Sequence, residues 1–118
     1  MSKIAETVLK ALKTTFPNNV ILTEHYINYK NQRLFFDFYI KDLGVLVEVQ
    51  GQQHTSYVKH FHDDKHAFFA QKRRDRLKIE YVVKNDDYCL VRFNYDEKIT
   101  PELVTTKIFN ALEEGFYE

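Results

Sequence analysis

Ile4, Val8, Leu9, Leu12 and Phe16 recur at the spacing of one helical face. The pattern predicts a helix over 2–16, with Ser2 as N-cap and Pro17-Asn18-Asn19 as its end. The period then shortens. Residues 20–29 and 33–40 read as strands around a Lys30-Asn31-Gln32 turn, and 45–50 reads as a third strand after Lys41 to Gly44. Three strands in succession form an antiparallel meander. Residues 51–62 show no period. A second helix is expected over 63–81, capped by Asp63 or Asp64, with Tyr81-Val82-Val83 either extending it or opening a loop. Asn85-Asp86-Asp87 marks a turn and 88–93 a strand. Thr100-Pro101-Glu102 starts a last helix, running to about Glu114 and burying Leu103, Val104, Ile108 and Leu112. This order predicts an α/β fold, a mixed central sheet flanked by helices, with a C-terminal helix.

Two of these strands carry an acid in an apolar setting. Asp37 lies within Leu-Phe-Phe-Asp-Phe-Tyr-Ile, and Glu48 within Val-Leu-Val-Glu-Val-Gln. Strict alternation would put both on one face with Phe35, Tyr39, Leu46 and Gln50, and would put Phe36, Phe38, Val47 and Val49 on the other. A buried carboxylate is costly unless paired or bound to a metal, and two together repel unless a cation lies between them. The pair therefore reads as a site for Mg²⁺ or Mn²⁺, completed by a backbone carbonyl. The competing reading is two structural acids on the wet side of a half-buried sheet.

Composition narrows the field without deciding it. The chain has 118 residues, the length of one domain, so 1–118 is read as a single unit. Its 17 basic and 17 acidic side chains cancel, so net charge points to no particular partner. Their distribution is uneven: 59–84 holds eight Lys or Arg against four Asp or Glu, enough for a basic face. Cys89 stands alone, which excludes an internal disulfide and a cysteine zinc site and suggests a reducing cytosol. No apolar run reaches the roughly 18 residues of a membrane span, and the first residues lack a signal-peptide pattern.

Further candidates lie near the strand acids. Gln50, two residues beyond Glu48, could orient water, and Gly51 permits a sharp exit from the strand. His54 could act as general acid or base. Gln71, Asp75 and Lys78 share a helical face; Lys78 could stabilise a phosphorane, while Lys72, Arg73, Arg74 and Arg76 could hold phosphates. The alternative is an exposed helix stabilised by pairs such as Asp75 with Lys78 or Lys72. His62 and His66 have i, i+4 spacing but lack the following Glu of a metalloprotease helix. Glu6 is an acid on the first helix.

In order and spacing these residues resemble the PD-(D/E)XK nuclease superfamily, and most the branch of very-short-patch repair endonucleases and some phage homing endonucleases. The resemblance runs through 36–40, 47–54, 74–78 and 90–93. It implies a restriction-endonuclease-like αβββαβ core and metal-dependent hydrolysis of DNA phosphodiesters. It also implies site positions at Glu6, Asp37, Glu48, His54 and Asp75. Asp37, Glu48 and the Val49 carbonyl would hold Mg²⁺ or Mn²⁺, with His54 and Gln50 managing the attacking water. Two departures stand out: Gln50 replaces the superfamily's lysine, and the repair enzymes' zinc cysteines are absent. A compact phage or mobile-element nuclease in the host cytosol is the expectation. The alternatives are a non-catalytic DNA-binding subunit, or a branched-DNA resolvase working as a two-fold homodimer.

Overall fold

The computed structural model describes residues 1–51 and 65–118. Helix α1 (Lys3–Thr15) starts as its cap predicts, with Ser2 Oγ accepting from the Ala5 N–H at 3.2 Å. Strands β1 (Ile21–Tyr29), β2 (Gln32–Ile40) and β3 (Val45–Gln50) form the meander, both pairings antiparallel. Helix α2 (Lys65–Lys84) continues through Tyr81-Val82-Val83, and buries Val82. Its cap residues, Asp63 and Asp64, lie outside the described residues. Strand β4 (Cys89–Asn94) returns parallel to β3. Helix α3 (Pro101–Glu114) opens with the Thr100 hydroxyl accepting from the Leu103 N–H at 3.1 Å. A two-residue strand, β5 (Phe116–Tyr117), then pairs parallel to β4, which the sequence pattern does not announce.

The sheet runs β1-β2-β3-β4-β5, mixed in sense as expected. On one side α1 and α3 bury Val8, Leu12, Val104 and Ile108 against Phe38, Ile40, Val45, Val47, Val91 and Phe93. On the other, α2 contributes Leu77 and Val82 to a cluster with Leu34, Phe36, Leu46 and Leu90. Among the described residues no helix is long and apolar enough to cross a membrane.

Helix α3 departs from the expected burial. Val104, Lys107, Ile108 and Ala111 face inward, Leu103 is half-buried, and Leu112 is 42% exposed. The inward stripe is rotated toward Lys107, whose ammonium donates to the Arg92 carbonyl and to Glu97 Oε1, each at 2.6 Å. Satisfied donors make a buried lysine tolerable where an unpaired one would not be.

Strict alternation also fails in β2. Leu34 and Phe36 pack under α2, whereas Phe38 and Ile40 pack under α1 and α3, although all four have the same parity. The faces exchange at Glu24 and Asp37, the one gap in an otherwise continuous β1–β2 register, where Glu24 has φ +54°. His25 accordingly stacks on Tyr39 at 4.5 Å, a contact that regular pleating would forbid. Residues 38–40 pair with 45–47 of β3; nearer the hairpin tip, β2 pairs with β1 alone among the described residues.

Candidate active site at the ends of β3 and β4

The exchange of faces separates the two strand acids. Glu48 points to the α2 side, between Leu46 and Gln50 in alternation, and is 6% exposed. Its Oε1 takes the Lys78 ammonium and its Oε2 the Arg92 Nε at 2.9 Å. Arg92 is the register partner of Glu48 across the parallel β3–β4 pair, and its Nη2 also donates to the Asp75 carbonyl at 3.0 Å. Lys78 and Arg92 are themselves buried. One carboxylate thus faces two buried cations, leaving a positive excess near the carboxyl ends of two parallel strands.

Asp37 turns toward the plane of the sheet. Its Oδ2 accepts the Val49 N–H at 2.8 Å where β2 and β3 part. It lines a cleft of about 200 Å³ with Met1, Ser2 and Ala5 of the α1 end and with Thr23, Glu24, Phe35 and Phe38. Asp37 and Glu48 therefore do not share a face as alternation predicts, because the paired irregularity at Glu24 and Asp37 intervenes.

Four of the other expected site residues do converge. Gln50, Lys72, Asp75 and Arg76 line a cleft of about 540 Å³ with Arg92, Phe69, Ile79 and Glu118. Gln50 is buried at its wall. Lys78 lies beneath this site, in its ion pair, rather than open to a phosphate. Nor does it pair with Asp75 along the helix: the cross-sheet partner Glu48 wins. Arg73 is exposed and Arg74 half-buried, and neither lines the cleft. Glu6 is exposed on α1 and lines a separate hollow with Leu9, Lys10, Lys13 and Thr14. His54 and His62 lie outside the described residues, and His66 is exposed.

The donor set offers hard oxygens, the right class for Mg²⁺ or Mn²⁺. Among the described residues, however, no three His, Cys, Asp or Glu side chains gather as ligands. Each Glu48 oxygen already accepts from one buried cation, so a metal ion there would share the carboxylate with Lys78 and Arg92. Cys89 takes no part; burial pushes its thiol up to about 11.

Sequence reasoning missed Arg92, the second cation on Glu48, and Glu118. The one signal for Arg92 was a charge inside the apolar run of β4, which mirrors Glu48 in β3.

No family model matches the chain, and no solved structure matches it. A 78-residue stretch, 66% of the chain, is 33% identical to "Uncharacterized protein 307L" of Invertebrate iridescent virus 6, and covers 39% of that viral protein.

Proposed function

We propose that this protein is a metal-dependent DNA endonuclease that hydrolyses phosphodiester bonds. The observation that carries the reading is the buried Glu48–Lys78–Arg92 cluster beside a cleft lined by Gln50, Asp75, Lys72 and Arg76. Ligands of open α/β sheets bind at the carboxyl ends of the strands, where this cluster lies. A positive excess there suits a phosphate diester. Lys72 and Arg76 bind the DNA backbone, and Gln50 orients the attacking water. His54 takes the proton from that water. Gln50 supplies no ammonium from β3, and Lys78 of α2 supplies one only when it leaves Glu48. Asp37, Glu48 and the Val49 carbonyl would hold Mg²⁺ or Mn²⁺ only if Asp37 left the Val49 N–H and turned to the Glu48 side of the sheet. The ion, when bound, polarises the scissile phosphate and acidifies water. A viral relative suits a nuclease encoded by a virus or mobile element.

One observation favours a second reading. Both oxygens of Glu48 are held by Lys78 and Arg92, as in a nuclease-shaped subunit that binds DNA without cutting it. Supercoiled plasmid incubated with Mg²⁺ or Mn²⁺, against an EDTA control, separates the two. We expect nicking by the wild type and its loss with EDTA. Asp37→Asn should also abolish nicking, since it removes the charge but keeps an acceptor for the Val49 N–H. Plasmid that is bound but left intact with either metal would establish the non-catalytic reading.

A further inference from the structure

The β1–β2 hairpin bears a second feature that the cleft under α2 does not use. Its α2-facing side is covered, but the opposite side presents Tyr26 and Phe35, 46% and 37% exposed. The two are register partners, so their side chains stand together, with ring centroids 5.2 Å apart and planes tilted by 57°. The Arg33 guanidinium lies over the Tyr26 ring at 3.9 Å, and among the described residues it makes no ion pair. Two open aromatic rings with an uncompensated cation suit a ligand that is at once flat, aromatic and anionic. A nucleotide with an unstacked base has that chemistry: the base lies against the rings and the guanidinium plane, and the phosphate meets the charge. Phe35 also lines the small cleft that contains Asp37, so the rings adjoin that acid.

We infer that Tyr26, Phe35 and Arg33 form a stacking platform for an unpaired base, so the preferred ligand is single-stranded or locally opened DNA rather than closed duplex. The inference rests on the proposed action on DNA, but it concerns binding and not cleavage. The absence of tryptophan from the chain gives a direct test, because Phe35→Trp creates a sole indole reporter on the platform. Titration with an oligothymidylate of roughly ten nucleotides should quench its fluorescence saturably, while a blunt duplex of equal length quenches it much less. The Tyr26→Ala/Phe35→Ala variant, altered only at exposed positions, should bind the single strand about tenfold or more weakly. Its duplex binding should stay unchanged, and its thermal melt should fall only by the small amount that loss of one cross-strand ring pair accounts for. Arg33→Ala should weaken single-strand binding and flatten its salt dependence. Equal quenching by duplex and single strand overturns the inference. So does wild-type affinity in the double alanine variant, which would leave the rings as a protein contact. If the plasmid assay shows no cleavage but quenching persists, the hydrolytic reading fails and the platform stands.

Discussion

Glu48 is a buried acid paired with two buried cations. It stands where the sequence marks an acid in an apolar strand, but its partners lie 30 and 44 residues away along the chain. No local pattern reveals such pairings. Removing one member of a buried ion pair leaves an uncompensated charge, which costs more than the pair contributes. Glu48→Gln should therefore lower stability by about 3–5 kcal/mol, read as a fall in the urea midpoint at unchanged slope. If the variant unfolds within about 1 kcal/mol of wild type, Lys78 and Arg92 find other partners or water. Asp37 shows the converse. The acid was legible, but its turn toward a backbone N–H follows from the parting of β2 and β3, which no single residue encodes.

Two elements are held by specific local geometry. The turn before β3 needs Gly44: its φ is +66°, and a Cβ there would lie 2.3 Å from the Asp87 carbonyl oxygen. Its own carbonyl accepts the Cys89 N–H at 2.9 Å, starting the β3–β4 pairing. Gly44→Ala should cost at least about 1–3 kcal/mol, the usual range for a strained left-handed residue, visible as a lower melting temperature. The hairpin is held to α2 by Tyr29, stacked edge-on to Tyr81 at 5.3 Å, and by Glu80. The Glu80 carboxylate accepts from Lys30, from Lys84 at 2.9 Å and from the Tyr29 hydroxyl at 3.0 Å. The hydrogen bonds from Lys30 and Lys84, above all that from Lys30, hold its carboxyl down to about 2 against an ordinary 4.5. A carboxyl that ionises more readily when folded stabilises the fold above its unfolded value, and that contribution disappears as pH falls through the folded one. Amide exchange in the hairpin should therefore quicken, relative to the helices, as pH falls from 4.5 toward 2. Glu80→Gln should show the faster exchange already at neutral pH and lose that acid dependence.

Across the whole molecule, charge is zoned although the total is zero. Lys72 and Arg76 reach the cleft beneath the strand ends, while Arg73 turns outward and does not line it. Lys72→Ala/Arg76→Ala should weaken duplex binding across sequences and reduce the slope of log affinity against log salt by about 2, one for each phosphate that no longer meets a cation. Arg73→Ala should change the slope less. Equal effects from all three would mean that the duplex lies along the outer face of α2 instead.

Element type and order were legible because hydrophobic period, caps and turn residues act over a few neighbours. Ser2, Thr100 and Pro101 start their helices where their chemistry requires. The β-meander and a return strand after α2 follow from the same local signals. A strand as short as β5 has no period to read, and Leu112 was assigned to the core by spacing that cannot sense which way α3 rolls once Lys107 finds its acceptors. By itself the sequence determined an α/β chain with acids in two core strands and a basic second helix. Only tertiary structure decided that the hairpin exchanges faces at Glu24, parting Asp37 from Glu48, and that Glu48 is claimed by Lys78 and Arg92. The reason is range: caps and periodicity act between near neighbours, whereas a buried charge selects its partner from whatever side chains the completed sheet brings within reach.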